Sequence, residues 1–517
     1  MSNKIIAKSA TIIGVATLCS RILGFIRDIV IARLFGVYIY AQAFVIAFRI
    51  PNLLRDLVGE GAVNAVLVPV FSEYTVKDNK QAFWELVNVV LNFLLVMLSA
   101  ITILGVMFSP LIVRAIAPGF VSDPEKLAAT IKLSRIIFPY VLLISLAAYS
   151  MGVLNSLRHF SVPAFAPCLL NISVIVCALA FGEEIVGLAS GVLVGGVLQL
   201  AVQIPVLYRK GFRLQLFKQF KHPAAKTIGK LMVPRLLSSS IYQLNNFVDS
   251  IFGSLAWIVG EGGVAILYFS YRLIQFPLGI FSNALAQAIL PAFSTQALEE
   301  NHEKLKHTLA FGLRATFFVM LPACVGLMVL SKPIIGTLFG GRKFDLYSVN
   351  ATANALFFYS IGLFAYGGTR IVQSCFFALK DTRTPAKIAG LALLIGIVLN
   401  SILMFPLKIA GLALATSISG ITTFCILFFI LKKRLGDFKS EPIFNSFART
   451  LLASIAMGLV SFIVSQKIFL GTHTVDKLLN LSLSILFGLI SYIIFCFVFK
   501  VSEMRELWKW LRERRVQ

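Results

Sequence analysis

The sequence predicts an all-α, polytopic membrane protein with about 14 transmembrane helices, arranged as two six-helix lobes in a parallel pseudo-repeat and two C-terminal helices. Three observations lead to this prediction: the composition, a succession of long apolar runs, and an internal repeat. Hydrophobic residues make up 58% of the 517 residues and charged residues only 14%, and the mean hydropathy is +0.87. Because so little polar material cannot cover a soluble domain of this length, the chain is expected to lie in lipid.

The apolar runs have the length of membrane crossings, which need about 20 apolar residues each. Lys and Arg are distributed unevenly between them: roughly 30 fall in loops on the side of the N-terminus and about nine on the other side, which predicts that both termini are cytoplasmic. The net charge of +24 is therefore attributed to a membrane surface, and no nucleic-acid partner is expected. The predicted spans are 10–36, 40–72, 86–113, 130–154, 163–182, 186–208, 236–259, 263–295, 308–331, 351–378, 386–405, 409–431, 447–466 and 478–499.

An internal repeat emerges when the sequence is compared with itself at an offset of about 222 residues. Residues 68–72 (Val-Pro-Val-Phe-Ser) match residues 290–294 (Leu-Pro-Ala-Phe-Ser), and Ser109 matches Ser331. Each copy holds about six helices, and an even number gives both copies the same orientation in the membrane. Two such lobes around a central cavity are the architecture of an alternating-access transporter.

The repeat and the charge pattern together divide the chain into five parts. Residues 211–235 form a basic amphipathic linker, which is predicted to be a helix on the cytoplasmic membrane surface. Both this linker and the basic tail at residues 500–517 are expected to contact anionic membrane lipids. The five parts are an N-lobe (1–210), the linker (211–235), a C-lobe (236–434), a last pair of helices (445–499) and the tail (500–517).

The seven cysteines lie mostly inside apolar runs and show no Cys-x-x-Cys spacing. This pattern indicates neither a disulfide framework nor a cysteine-based metal site. We therefore expect them to be small core residues.

Arginines within the predicted spans are the most informative polar feature. Each Arg near the bilayer centre costs about 3 kcal/mol to insert, and none of them has a carboxylate three or four residues away with which to pair along its own helix. The surplus positive charge calls for an anion, and the planar guanidinium favours phosphate or diphosphate. The alternative is that these arginines pair with Asp28, Asp56 and Glu60 or extend to an interface. The set is Arg21, Arg27, Arg33, Arg49, Arg55, Arg272 and Arg370.

Three motifs in the first two spans resemble the MurJ (MviN) family of lipid II flippases. They are residues 20–28 (Ser-Arg-Ile-Leu-Gly-Phe-Ile-Arg-Asp), 51–55 (Pro-Asn-Leu-Leu-Arg) and 60–62 (Glu-Gly-Ala). Residues 117–120 (Ala-Pro-Gly-Phe) and 163–167 (Pro-Ala-Phe-Ala-Pro) agree as well. The resemblance covers nearly the whole chain and includes the number of helices.

The resemblance implies a fold of the MOP superfamily whose cationic cavity receives the headgroup of lipid II, the undecaprenyl-diphosphate-linked peptidoglycan precursor. It implies that the protein is a flippase of the bacterial inner membrane, carrying lipid II from the cytoplasmic to the periplasmic leaflet, with cell-wall synthesis proteins as further partners. The headgroup-binding residues it implies are Arg21, Arg27, Arg55 and Arg272. Supporting or gating roles are expected for Gly24, Asp28, Pro51, Asn52, Asp56 and Glu60, because Gly and Pro bend transporter helices around a midplane site.

The last two helices are predicted to form a groove for the lipid tail, because no Asp, Glu or central Arg interrupts their apolar runs. A polyprenyl chain is too apolar to enter a cationic cavity and must stay in lipid or in an apolar groove. The alternative is that this pair of helices only braces the second lobe.

Two positions differ from the family pattern: Gln42 and Gln275 stand where many members have an acid. Some members are thought to hold a sodium ion, for which Asp249, Asn400 and Thr416 are the oxygen-bearing candidates here. Met404 stands where another oxygen ligand would be wanted, and a hard cation needs about five or six oxygens. No other cofactor is expected.

Other classes of protein fit the sequence less well. A membrane glycosyltransferase or phosphatase needs carboxylates or a nucleophile at a membrane face, and no GxSxG, Walker or metal-binding motif is present, so no enzymatic activity is expected. A receptor or scaffold would not need costly arginines within the membrane. The nearest alternative is another MOP-superfamily exporter, either an oligosaccharide-lipid flippase or a multidrug transporter; exporters of cationic drugs would want an acidic cavity.

Overall fold

A computed structural model describes residues 3–55, 66–76, 80–216, 228–230, 244, 247–299, 301–436, 440–467 and 474–506. Throughout these residues the regular structure is helical, and they contain no strand. The chain divides into two compact units: Met1–Ala256 with Glu261–Ala265, and Trp257–Gly260 with Ile266–Gln517. The all-α fold predicted from the sequence is confirmed.

The first two helices of the first unit carry the arginine motifs. The helices that follow range from six to 28 residues, and residues 247–254 are also helical. The helices are Asn3–Phe35, Ile39–Arg55, Val68–Val76, Lys80–Met107, Ser109–Ile116, Pro124–Ile137, Tyr140–Ser156, Ser161–Phe181, Ile185–Ala201 and Ile204–Arg209, with a 3₁₀ turn at Pro118–Ser122.

The helices of the second unit end with two long ones, of 28 and 25 residues. A π-helical turn, Leu278–Ser282, follows Pro277 and separates two of them. The helices are Ala256–Val259 and Gly263–Pro277, each of which crosses the boundary between the units, and then Asn283–Leu298, His302–Val329, Ser331–Leu338, Leu346–Ile361, Leu363–Ala378, Arg383–Leu435, Ser440–Lys467 and Thr474–Val498.

Among the described residues, nine helices are long and apolar enough to cross a membrane, and the pair Leu346–Ile361 and Leu363–Ala378, bent by 42°, would make a tenth. The first helix, Asn3–Phe35, is not one of the nine. The second, Ile39–Arg55, has 17 residues and is followed by residues that the structure does not describe. The chain is therefore a multi-pass membrane protein, and the count of 14 stays a prediction.

The helix Arg383–Leu435 contains two antiparallel segments. Its 53 residues would extend about 80 Å in one straight helix, far more than a bilayer requires. Lys408 interrupts it with a φ of 53°, and the Ser419 hydroxyl donates to the Ala392 carbonyl at 2.8 Å although 27 residues separate them. Only a chain that folds back near Lys408 brings these two residues together, so the predicted spans 386–405 and 409–431 form a hairpin.

The sequence repeat is a structural repeat. Lys80–Met107 and His302–Val329 each have 28 residues, and each is followed by a helix of eight residues that begins at a serine. The matching phenylalanines Phe71 and Phe293 are both 0% exposed, each in the hydrophobic core of its own unit. This pair of equivalent residues therefore takes equivalent core positions in the two units.

The helix ends of the two copies also match. After Ser156 and Ala378 the chain turns through Arg158 and Lys380, whose φ angles are 60° and 58°. In both turns the next amide, that of His159 or Asp381, donates to a carbonyl five residues earlier, which is the hydrogen-bond pattern of a Schellman cap. The Thr384 backbone N–H donates to the Asp381 carboxylate at 2.9 Å, and this bond, assisted by Arg434, holds the pKa of Asp381 below its usual value.

The first residues of the predicted linker are bound to the helix Lys80–Met107. The Asn88 amide donates to the Arg213 carbonyl at 3.1 Å and accepts from the Gln215 N–H at 2.9 Å, while the Asn92 amide donates to the Gln215 carbonyl at 3.0 Å. Residues 212–215 are not helical, so the prediction of a helix is wrong for them, because two asparagine side chains take up the backbone groups that a helix would pair. Most of the linker, and the tail beyond residue 506, lie outside the described residues.

Candidate functional site

The helix Asn3–Phe35 carries four of the predicted site residues, Arg21, Gly24, Arg27 and Asp28. The helix continues without a break through Gly24, so this glycine does not interrupt it. A Cβ at Gly24 would lie 3.6 Å from the Asn171 side chain, an ordinary contact distance. Gly24 therefore lies where the first helix meets Ser161–Phe181.

Arg27 is buried in the first unit, with 4% of its surface exposed. Its Nη2 and Nε donate to Asp28 Oδ1 at 2.8 and 3.1 Å, and its Nη1 donates to Asn171 Oδ1 at 3.1 Å. The guanidinium also lies 5.9 Å from the ring centroid of Phe48, within cation–π range. Adjacent residues do not face each other on a helix, so this pair forms only because the long Arg27 side chain folds back.

Asn171 holds this arrangement in place from the neighbouring helix. Its amide nitrogen donates to the Ser20 carbonyl at 3.1 Å and to the Pro167 carbonyl at 3.3 Å, which orients its oxygen toward Arg27. Asn171 is a site residue that was not predicted from the sequence. The signal was available, because a lone amide in an apolar span is costly and needs a partner.

The other arginines of the first unit differ in exposure. Arg21 and Arg33 are exposed on the first helix. Arg49 is half-buried and donates to the Ser250 hydroxyl. The Arg49 guanidinium also attracts the Asp249 carboxylate electrostatically. Of the three arginines on the helix Asn3–Phe35, Arg27 is therefore the one that is removed from solvent.

The second helix, Ile39–Arg55, contains Pro51 in its interior, so Pro51 does not end it. The Asn52 amide oxygen is buried and has no hydrogen-bond partner among the described residues. The same holds for the amide nitrogen of Gln42, a residue that is 2% exposed. Arg55 is the last described residue of this helix; its side chain and the residues Asp56 and Glu60 lie outside the described part of the chain.

Arg272 belongs to the second unit, on the helix Gly263–Pro277. Its Nη1 donates to Gln275 Oε1 at 3.1 Å, and its guanidinium lies 5.7 Å from the ring centroid of Tyr268. Both neighbours are uncharged, so these contacts orient the guanidinium without neutralising it. A carboxylate at position 275 would have neutralised part of its charge.

The candidate sodium ligands are divided between the units, with Asp249 in the first and Asn400 and Thr416 in the second. Asn400 is 2% exposed, and its amide oxygen has no hydrogen-bond partner among the described residues. The Thr416 hydroxyl donates to the Leu412 carbonyl at 3.1 Å, which leaves its oxygen able to accept. Met404 is buried and offers only a soft thioether, which suits a hard cation poorly. Sodium binding stays a prediction.

Known proteins match the chain over most of its length. The family model described as "Lipid II flippase MurJ" matches residues 31–483. A relative from Buchnera aphidicola (subsp. Acyrthosiphon pisum), "Probable lipid II flippase MurJ", is 34% identical over 502 residues, covering 96% of this chain and 97% of the relative. "Lipid II flippase MurJ" from Burkholderia cenocepacia is 34% identical over 434 residues, covering 82% and 83%.

Solved structures match the fold as well. The structure "Lipid II flippase MurJ, inward closed conformation" superposes with a TM-score of 0.78 at 27% identity, covering 94% of this chain and 98% of that one. An inward-facing multidrug resistance MATE transporter of the MOP superfamily gives a TM-score of 0.67 at 18% identity, covering 81% and 96%, a likeness of fold alone.

The chain shares its helical fold with solved structures of multi-pass membrane transporters, the MurJ flippase and a MATE transporter of the MOP superfamily. Within that class, the extent of the family match settles the family. The chain belongs to the lipid II flippase MurJ family.

Proposed function

We propose that this protein is a lipid II flippase, which moves undecaprenyl-diphosphate-linked peptidoglycan precursor from the cytoplasmic to the periplasmic leaflet of the bacterial inner membrane by alternating access. It acts as a transporter and not as an enzyme. The observation that carries the proposal is the Arg27 guanidinium, buried within a membrane protein and oriented by Asp28, Asn171 and Phe48.

The chemistry of the arginines suits a diphosphate. A guanidinium donates two parallel hydrogen bonds to phosphate oxygens and stays charged where water is scarce. We assign headgroup binding to Arg21, Arg27, Arg55 and Arg272, with Asn52 and Asp28 in supporting roles. The Arg272 guanidinium is oriented by two uncharged side chains, Gln275 and Tyr268, and we assign it to the headgroup as a charged donor.

The fold by itself also fits a multidrug or oligosaccharide-lipid exporter of the same superfamily, but no observation on the site favours either. The decisive experiment uses purified protein in vesicles and compares fluorescent lipid II with undecaprenyl phosphate that lacks the sugar headgroup. We expect binding and translocation of lipid II and much weaker binding of the monophosphate. Equal handling of both lipids would contradict headgroup recognition.

The proposed orientation places both termini in the cytoplasm. With the native cysteines replaced, a cysteine at the exposed Glu183 should react with a membrane-impermeant maleimide added to intact cells, because its loop then faces the periplasm. A cysteine at the exposed Lys433 should react only after the membrane is made permeable. The reverse pattern of labelling would overturn the orientation.

The last pair of helices is proposed to hold the lipid tail. Both helices present large apolar side chains outward, including Leu459 at 60% and Leu489 at 53% exposure. We expect Leu459→Trp or Leu489→Trp to weaken binding of long-chain lipid II while sparing a short-chain analogue, because only the long chain reaches a groove along these helices. Binding to both analogues is measured on folded protein, and an equal loss for both would favour a bracing role.

A further inference from the structure

A cluster of four residues in the first unit, which we call the outer latch, consists of Gly119, Lys126, Ser254 and Glu261. Gly119 and Lys126 belong to the first sequence repeat, between its third and fourth spans. Ser254 and Glu261 belong to the second repeat, at the turn between its first two spans, yet this turn packs within the first unit. In the proposed orientation the cluster lies on the periplasmic side.

Lys126 is the central residue of the outer latch. Its side chain is 3% exposed, and its Nζ lies 3.3 Å from Glu261 Oε2 and 3.3 Å from Asp123 Oδ2. The ammonium also lies 5.5 Å from the ring centroid of Phe120. A lysine is almost never buried this fully without such partners, so the turn bearing Glu261 supplies part of what keeps Lys126 buried.

The local sequence builds this site. Asp123 caps the helix Pro124–Ile137 by accepting from the Lys126 N–H at 3.1 Å, while its other oxygen pairs with the ammonium of the same residue. Burial raises the pKa of Asp123, but its hydrogen bonds with Lys126 and the nearby positive charge outweigh this and hold the pKa below its usual value. Asp123 therefore stays ionised and holds Lys126 whether or not Glu261 is present.

The turn that bears Glu261 is shaped by two glycines. Gly260 and Gly262 flank Glu261 with φ angles of 94° and 80°, conformations that glycine adopts readily and other residues avoid. A Cβ at Gly262 would lie 2.6 Å from the Val37 side chain. The turn therefore packs against the residues between the helices Asn3–Phe35 and Ile39–Arg55, and the Glu261 carboxylate is directed to Lys126.

A second contact joins the same segments. The Gly119 N–H donates to the Ser254 hydroxyl at 3.0 Å, and a Cβ at position 119 would lie only 2.0 Å from the Ser254 carbonyl oxygen. Only glycine allows this approach. The glycine of the Ala-Pro-Gly-Phe motif at residues 117–120 is therefore needed for this close approach to Ser254, and its presence does not have to be explained by headgroup binding.

We propose that the outer latch holds the turn of the second repeat against the first repeat on the periplasmic side, and that this contact must separate when the transporter opens outward. The contact is suited to reversible use, because the Glu261 side chain is 58% exposed and returns to water on release, while Asp123 stays with Lys126. Lys126 is a positioning residue and does not touch the substrate. The proposal rests on the proposed alternating-access function.

The test measures opening directly and does not depend on transport. A cysteine replaces Val37, which is 0% exposed, in a cysteine-free background, and its labelling by an impermeant maleimide is followed in vesicles of both orientations. We expect Lys126→Met to raise the labelling rate from the periplasmic face about fivefold, the effect of losing a partly exposed ion pair. Gly119→Ala should raise it at least as much.

Lys132→Met is the matched control, since Lys132 lies exposed on the same helix and should leave the labelling rate unchanged. An unchanged rate in both Lys126→Met and Gly119→Ala, with folded protein, would overturn the latch. A charge exchange, Lys126→Glu with Glu261→Lys, is expected to lower the rate below that of Lys126→Glu alone, although Asp123 remains to repel the new acid.

Cross-linking separates the latch from the transport function itself. Cysteines at positions 126 and 261, joined through disulfides by a short bis(methanethiosulfonate) reagent, should stop translocation of lipid II while leaving its binding intact, and a reductant should cleave the disulfides and restore translocation. Unchanged translocation in the cross-linked protein would contradict the latch. Failure of the protein with its native Lys126 and Glu261 to bind or move lipid II would instead contradict the proposed function.

Discussion

Replacing Arg27 with alanine is expected to abolish growth of a cell that depends on this flippase. The change removes the predicted diphosphate donor, and it also deprives the 0% exposed Asp28 of a charged partner at 2.8 Å. Breaking a buried ion pair in this way costs about 3–5 kcal/mol, a large part of the 5–15 kcal/mol that typically stabilises a fold. Growth and the amount of folded protein in the membrane are the two measurements.

A double variant separates the structural effect from the functional one. Arg27→Ala with Asp28→Asn leaves no buried unpaired carboxylate, so the amount of folded protein should recover while growth remains absent. Arg33→Ala is the matched control, because Arg33 is exposed on the same helix and should support normal growth. If the double variant grows normally, Arg27 serves only to balance Asp28, and its role in headgroup binding is wrong.

Replacing Arg272 with alanine is expected to weaken lipid II binding by about 10- to 100-fold, the loss of a charge-assisted hydrogen bond of roughly 1.5–3 kcal/mol. Arg272→Lys keeps the charge but loses the planar fork, so its affinity should lie between those of the alanine variant and the original protein. The dissociation constant for fluorescent lipid II, measured in vesicles at two salt concentrations, checks both values.

Gln275→Ala is the informative companion of Arg272→Ala. It removes the side chain to which Arg272 donates at 3.1 Å but leaves the charge, so we expect only a few-fold loss of affinity, typical of a neutral hydrogen bond. Equal affinities of Arg272→Ala and the original protein, with both correctly folded, would remove Arg272 from the site.

Long apolar runs and the repeat were readable from the sequence because they depend on local composition. The helices Lys80–Met107 and His302–Val329 match in length as the repeat predicts. Helix interruptions were less predictable: the first helix continues through Gly24 and the second through Pro51. A glycine or proline permits a bend, but packing against neighbouring helices decides whether one occurs.

The conformation of the linker was also not predictable from local sequence. Its alternation of Phe, Leu, Arg and Lys is typical of an interfacial helix, yet residues 212–215 are bound in a non-helical conformation by Asn88 and Asn92. Those asparagines are more than a hundred residues away in the sequence. No local pattern could have shown that their amides would satisfy this backbone.

By itself the sequence determined that this is an all-helical membrane protein with a duplicated architecture, and that its apolar spans contain more arginines than acidic residues to pair with them. Hydropathy, repetition and charge are readable in this way because they are properties of the chain that do not depend on its folding. Only the tertiary structure decided what each charge meets. Arg27 lies against Asp28, Asn171 and Phe48, and Lys126 is buried beside Glu261. The physical reason is that the energy of a charge in a membrane protein depends on its distance to partners brought from other helices, and those distances exist only after the helices have packed.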